Sequence, residues 1–220
     1  MHEHKIWVIA DTHFGHESPY SRWIEDGKPY RPHGSAEQAD IEMVESWNEV
    51  VHEQDIIYHL GDVSWDMKSE YNRKLLLSLK GRKMLVGGNH DHNLKYYAPF
   101  FQKIYAVKPM ENCVLTHIPI HPDCVERWGI NVHGHLHKRV VKDFRGRVDH
   151  RYICASVEQT AYKPILLEQL LETVRLNKIV SLQRFEECPE CKQMSVRARE
   201  LREGGGVECT SINCGYWFCF

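Results

Sequence analysis

No apolar run in the chain approaches the length needed to cross a bilayer, which argues against helical membrane insertion. An excess of charge of one sign is also missing. The 28 Lys and Arg against 30 Asp and Glu leave a formal net charge of −2, so only a local basic face or bound metals could attract a polyanion. There is no internal repeat and no low-complexity segment, which leaves an ordinary globular chain. A strand-like segment, Lys5-Ile6-Trp7-Val8-Ile9-Ala10, begins too early to leave room for a signal peptide. The expected compartment is the cytoplasm.

With 220 residues, 42% hydrophobic and 26% charged, the chain can bury a sizeable core and form one domain of ordinary size with a small appendage. Of its eight cysteines, Cys113, Cys124 and Cys154 are scattered and the other five crowd into the last stretch. That clustering points to metal binding in preference to disulfides. Several of the fifteen histidines sit among glycines and carboxylates, outside any apolar face.

Apolar periodicity organises the chain. After the first strand, Ser35 and Gln38 read as a capping box, and Met43, Val44, Trp47, Val50 and Val51 recur at helical spacing. A short strand at residues 56–60 leads to Gly61-Asp62. Tyr71, Leu75, Leu76 and Leu79 then make a second helical stripe that Gly81 ends. Residues 83–86 run into Gly87-Gly88-Asn89-His90-Asp91, completing two crossover units and a parallel sheet centre. Residues 104–107, 113–116, 130–133 and 152–155 read as short strands of a second, more mixed sheet. Pro164 is expected to open a last helix with Leu167, Leu170, Leu171 and Val174 on one face. The composition changes near Lys178, dividing the chain into domains 1–178 and 179–220, and Gly204-Gly205-Gly206 reads as a turn. The expected class is α/β (α+β).

Polar clusters follow the apolar strands: Asp11-Thr12-His13, Gly61-Asp62, Gly88-Asn89-His90-Asp91, His117 and Gly134-His135-Leu136-His137. Oxygen and nitrogen donors at several strand ends suit a pair of divalent ions, which need a bridging carboxylate and flanking ligands. Asp62 is the natural bridge. Asp11 and His13, two apart on leaving a strand, can face one ion, and His135 and His137 repeat the spacing. Glycines 61, 88 and 134 would let the backbone approach closely. Neutral imidazoles favour Mn, Fe, Zn, Ni or Co over calcium or magnesium. The alternative is a set of ordinary strand-end turns.

The five blocks, in this order, resemble the signature of the calcineurin-like metallophosphoesterase superfamily over about residues 4–175. The resemblance implies a four-layer αββα sandwich of two mixed sheets flanked by helices. It also implies that Asp11, His13, Asp62 and His137 hold one metal, that Asp62, Asn89, His117 and His135 hold the other, and that a metal-bound hydroxide hydrolyses a phosphate ester. His90 would be the general acid, with Asp91 orienting its imidazole. Asp11-Thr12-His13-Phe14-Gly15-His16 and Ala155-Ser156-Val157-Glu158 further resemble a bacterial and phage subgroup described no further than as phosphoesterases. Val63-Ser64-Trp65 after Asp62, and Asp91 where glutamate is expected, argue against a protein Ser/Thr phosphatase. A phosphodiester or nucleotide is the expected substrate. A nuclease, or a metal-binding scaffold without turnover, is the alternative.

His16, His59, His121 and His133 lie near the motifs without an assigned role. Tyr20, Trp23 and Tyr30 either stack on a base or sugar or pin a loop to the surface. In the tail, Cys188, Cys191, Cys209 and Cys214 resemble a four-cysteine zinc ribbon, with Cys219 able to substitute. Such a tail has too little apolar material for its own core, so a structural zinc would supply folding free energy. Its arginines make nucleic acid a candidate partner, while its glutamates make a solvated surface or a protein contact equally tenable.

Overall fold

The computed structural model describes residues 4–183 and strand residues 196–201, 204–209 and 217–219, with side chains described through Arg175. The chain divides into two compact units, Met1–Leu170 and Leu171–Phe220. The fold is mixed α/β. In the first unit, β1 (Ile6–Ile9) precedes the short helix α1 (Ser18–Ser21) and a hairpin of β2 (Ile24–Glu25) and β3 (Lys28–Pro29). Asp26 and Gly27 turn that hairpin with φ of 51° and 75°, the positive values that a two-residue Asp-Gly loop favours. Then come α2 (Ala36–Val50), β4 (Ile56–His59), α3 (Glu70–Ser78), β5 (Arg82–Val86) and β6 (Lys103–Tyr105).

Strands β1, β4, β5 and β6 run parallel, with Ile9 opposite His59 and His59 opposite Leu85. Their carboxyl ends are therefore level. The second sheet is built from β7 (Lys108–Pro109), β8 (Val114–Leu115), β9 (Asn131–His133) and β10 (Tyr152–Cys154), with helix α4 (Pro122–Val125) between β8 and β9 in sequence. Here β8, β9 and β10 are parallel, and β7 pairs antiparallel to β8. Next, β11 (Ile165–Leu166) joins the free edge of β1 antiparallel, and α5 (Leu167–Gln183) follows.

The core forms where α2 lays Ala39, Met43 and Trp47, one turn apart, against Trp7, Ile9, Ile57 and Leu85 of the first sheet. Ser35 caps α2 by accepting from the Gln38 N–H at 3.2 Å. Gln38 completes the exchange with the N–H of Gly34 at 3.3 Å, one residue before the partner a capping box predicts. In α3 the stripe narrows to Leu76 and Leu79, and Tyr71 is exposed.

Four expectations shift. Residues 103–105 extend the first sheet because Leu85 and Ile104 are in register, so this strand does not join the second one. Pro164 precedes an edge strand, and the helix starts three residues later. Gly204-Gly205-Gly206 lies within β13 (Gly204–Cys209), which pairs with β12 (Val196–Leu201) and β14 (Trp217–Cys219), so it is not a turn. The expected boundary at residue 178 falls inside α5. Cys188, Cys191 and Cys214 lie outside the described residues, and only the backbone of Cys209 and Cys219 is described.

Candidate metal centre

All the candidate ligands leave the carboxyl ends of parallel strands: Asp11 and His13 after β1, Asp62 after β4, Asn89 after β5, His117 after β8, and His135 and His137 after β9. Backbone bonds stitch these loops together. The N–H of Asp11 donates to Gly61 O at 3.0 Å, His13 N–H to Asp62 O at 3.0 Å, and Gly134 N–H to His117 O at 2.9 Å. Ala10 bridges Ser156 in parallel fashion, and Ala155 N–H donates to His133 O at 2.7 Å, so loops from both sheets meet at one place.

Close approach depends on missing side chains. A Cβ at Gly88 would clash with the backbone N and Oδ1 of Asp62, and one at Gly134 would come within 2.6 Å of Asp11 Oδ2. Five candidate ligands adopt left-handed backbone: Asp11 (φ 58°), His13 (48°), Asp62 (55°), His135 (67°) and His137 (52°). Such conformations are uncommon outside glycine, and their clustering marks a functional site.

The side chains gather into two groups, Asp11 with His13 and His137, and Asp62 with His117 and His135. In each, one donor atom per residue lies within 4.8 Å of the others. Asp62 joins the groups: its Oδ2 is 3.7 Å from His13 Nε2 and 3.4 Å from His117 Nε2. The other oxygen, Oδ1, accepts the His90 N–H at 2.8 Å. Asn89 Oδ1 lies 2.8 Å from His117 Nε2, which adds Asn89 to the second group.

The donor set fits cations. Both ring nitrogens of His13 are buried without a hydrogen-bond partner, an arrangement that costs free energy unless something binds them. His117 Nδ1 lies 2.8 Å from Leu60 O, and donating to it leaves Nε2 as an acceptor. Two acceptors, that nitrogen and Asn89 Oδ1, then face each other, and a shared cation would stabilise them. Burial, with Arg31 next, pushes the His13 pKa well down and keeps the ring in its neutral, ligating form. Burial also pushes Asp11 up to about 6, against the hydrogen bond from Ser156 Oγ at 2.6 Å. A neighbouring cation reverses such a shift.

Two residues the sequence reading did not assign hold this centre in place. Arg31 is fully buried; its Nη2 donates to Asp11 O at 2.6 Å and its Nη1 to Thr12 O at 2.9 Å. Nε and Nη2 both reach Glu158 Oε1 at 2.9 Å, and that same oxygen accepts from His137 Nδ1 at 3.0 Å. A carboxylate behind a ligating histidine fixes its tautomer and orientation. Glu158 appears in the sequence only within the subgroup string, and nothing local distinguishes Arg31.

Asp91 departs from its expected role. Its carboxylate does not orient the His90 imidazole but accepts from the N–H groups of Asp62 (2.9 Å), Val63 (3.0 Å) and Gly88 (2.8 Å). It organises the loop that carries Asp62. His90 itself is exposed, its ring centroid 5.5 Å from that of His13. Among the unassigned histidines, His59 bonds Thr12 Oγ1 at 2.9 Å, His133 Nδ1 lies 2.7 Å from Gly134 O, and His121 caps α4. Tyr20 is buried, its hydroxyl accepting from Arg31 Nη1 at 3.2 Å, so it is not free to stack on a ligand.

A sequence model of the calcineurin-like phosphoesterase family matches residues 4–192. The chain belongs to that family. It is a metal-dependent phosphoesterase, and its two clusters are groups able to hold the divalent ions the family implies. The phosphoesterase is 29% identical over 183 residues to the uncharacterized protein MJ1445 of Methanocaldococcus jannaschii, covering 82% of this chain and 97% of the relative. It is 27% identical over 169 residues to the Gene 66 protein of Mycobacterium phage D29, covering 62% and 80% of the two. Among solved structures, the protein of unknown function AQ665 from Aquifex aeolicus superposes with a TM-score of 0.58 at 26% identity, covering 78% of this chain and all of that one. Among the described residues no helix is long and apolar enough to cross a membrane.

Proposed function

We propose that this phosphoesterase hydrolyses a phosphodiester or nucleotide at a dinuclear centre bridged by Asp62, within a four-layer αββα sandwich. The observation that carries the reading is the position of Asp62 Oδ2, 3.7 Å from His13 Nε2 and 3.4 Å from His117 Nε2, between two ligand groups. Asp11, His13, Asp62 and His137 are assigned to one ion, and Asp62, Asn89, His117 and His135 to the other. Imidazole-rich donors favour Mn, Fe, Zn, Ni or Co. The ions, when bound, lower the pKa of water and neutralise charge on phosphoryl oxygens.

The protein's own groups do the rest. Arg31 holds the Asp11-Thr12 carbonyls, Glu158 holds His137, and Asp91 holds the Asp62 loop, so the donors are preorganised before substrate arrives. His90, exposed on the open side, is the proton donor to the departing ester oxygen. In the tail, cysteines 188, 191, 209 and 214 are proposed to hold a structural zinc, on their spacing alone.

The reading is tested by metal analysis of the purified protein and by hydrolysis of bis(p-nitrophenyl) phosphate and p-nitrophenyl phosphate, with Asp62→Asn as control. Two transition-metal ions per active site and Asp62-dependent turnover are expected. Bound metal with no hydrolysis of either ester would favour the silent scaffold.

A further inference from the structure

His16 lies flat against Trp65, with ring centroids 3.8 Å apart and planes 8° from parallel. Trp23 meets the same imidazole at 5.0 Å and 89°, so the two indoles stand close to perpendicular. His16 is buried beneath them, yet Trp65 is 55% exposed and Trp23 40% exposed. One face of the Trp65 indole is packed and much of the ring is open. The backbone that carries it is anchored: the main-chain N–H of Trp65 donates to Phe14 O at 3.0 Å, and Ser64 bridges Phe14. This rigid shelf lies beside the candidate centre, since the Trp65 ring is 6.1 Å from that of His90, which is 5.5 Å from His13.

The aromatic surface continues from Trp23, whose ring centroid is 6.1 Å from that of Tyr30. Tyr30 stands edge-on to His137 at 5.9 Å, and the Lys138 ammonium sits over the Tyr30 ring at 4.1 Å. Trp23 and Tyr30 flank the β2–β3 hairpin, which a Lys138–Glu25 ion pair at 2.7 Å ties to the loop after His137. Exposed indoles that need no apolar partner of the fold, arranged beside a phosphate-handling centre, match the flat π-face of a base. None of the family's metal ligands requires them.

We propose that Trp65, with Trp23, is a nucleobase-stacking subsite, which makes the substrate a nucleotide or a phosphodiester with a nucleoside on one side. This rests on the reading that the reacting phosphate lies at the Asp62 centre. The base stacks on the open part of the Trp65 ring while the phosphate reaches past His90.

The test uses the metal-loaded, full-length protein and its Trp65→Ala and Trp65→Phe variants. Calorimetry measures binding of AMP and of inorganic phosphate. Kinetics compare the p-nitrophenyl ester of thymidine 5′-monophosphate with methyl p-nitrophenyl phosphate, which share a leaving group and differ in the nucleoside. Trp65→Ala is expected to weaken AMP about 10-fold more than phosphate and to lower the nucleotide-to-methyl kcat/KM ratio by about the same factor, with Phe restoring most of both. Equal losses on both ligands and both esters, or an unchanged ratio, would overturn the subsite. Turnover of both esters with that unchanged ratio would leave the hydrolytic reading standing. Trp65-dependent AMP binding without turnover would do the reverse, supporting the subsite while removing the hydrolytic reading.

Discussion

Arg31 and Glu158 are 127 positions apart in sequence and form a buried ion pair at 2.9 Å behind the candidate metal ligands. Glu158 Oε1 takes three donors, two from Arg31 and one from His137. Glu158→Gln should leave the Arg31 charge buried and uncompensated, which costs on the order of 3–5 kcal/mol. It should also loosen His137 and weaken metal binding roughly 10- to 100-fold. Thermal unfolding and calorimetric metal titration of stripped protein measure the two effects. Undiminished metal affinity would show that the pair only holds the fold.

The same pair has a pH signature. Burial alone would raise the Glu158 pKa, but the His137 hydrogen bond and the Arg31 charge outweigh it and hold the carboxyl down to about 2, from an ordinary 4.5. A depressed folded-state pKa gives stability that is complete above the unfolded value and lost as pH falls toward the folded one. Metal-free wild type should therefore lose stability between about pH 4.5 and 2 through this group. Acid titration by circular dichroism should show that component diminished in Glu158→Gln.

His90→Ala should keep metal and lose most turnover, a fall of about 10²- to 10⁴-fold if the imidazole is the proton donor. The substitution is informative because His90 reaches Asp62 Oδ1 through its backbone N–H, at 2.8 Å, and alanine retains that donor. Metal content and kcat measured on one preparation decide it. Turnover equal to wild type would remove the assigned role.

What was legible in the sequence is what short-range chemistry encodes. Met43 and Trp47 announce the buried face of α2 because they recur at helical spacing, and the donor clusters announce themselves because each is contiguous after an apolar strand. Arg31 and Glu158 do not, since only the fold brings them together. Asp91 misled for the opposite reason: adjacency to His90 suggested a contact, but the chain turns its carboxylate to the amides of Asp62, Val63 and Gly88. The left-handed backbone of five candidate ligands has no compositional mark beyond Asp and His tolerating it. The two-residue strand β11 is too short for periodicity to reveal.

Asp40 offers a second pH test, at a residue outside the candidate ligand set. It lies on α2, its Oδ2 accepts the Gly15 N–H at 2.9 Å, and burial pushes its pKa up to about 7 from 3.8. The folded protein then binds more protons than the unfolded chain between these values, so this group makes stability fall as pH rises through the window. The difference between these values sets an upper bound of about 4 kcal/mol on its contribution. Asp40→Asn keeps an acceptor for Gly15 and abolishes the titration. The variant's melting temperature relative to wild type should therefore climb from pH 5 to pH 8. A constant difference across that range would mean Asp40 is ionised in the folded protein at both ends.

Gly88→Ala tests whether the Asp62 loop can yield. The added methyl would clash with the backbone N and Oδ1 of Asp62, whose loop is pinned by N–H donations from Asp62 and Val63 to Asp91, while the N–H of Gly88 itself donates to the same carboxylate. Neither partner is the free end of a flexible side chain, so relief requires the loop to move. That movement should cost about 1–3 kcal/mol of stability. It would also shift Asp62 away from His13 and His117, so metal affinity should fall more steeply than in a surface Gly129→Ala control, where a Cβ meets nothing within 4 Å and the only strain comes from a positive φ of 74°, which Gly88 does not share. Matching affinities in the two variants would show that Asp62 keeps its position without the close approach at Gly88.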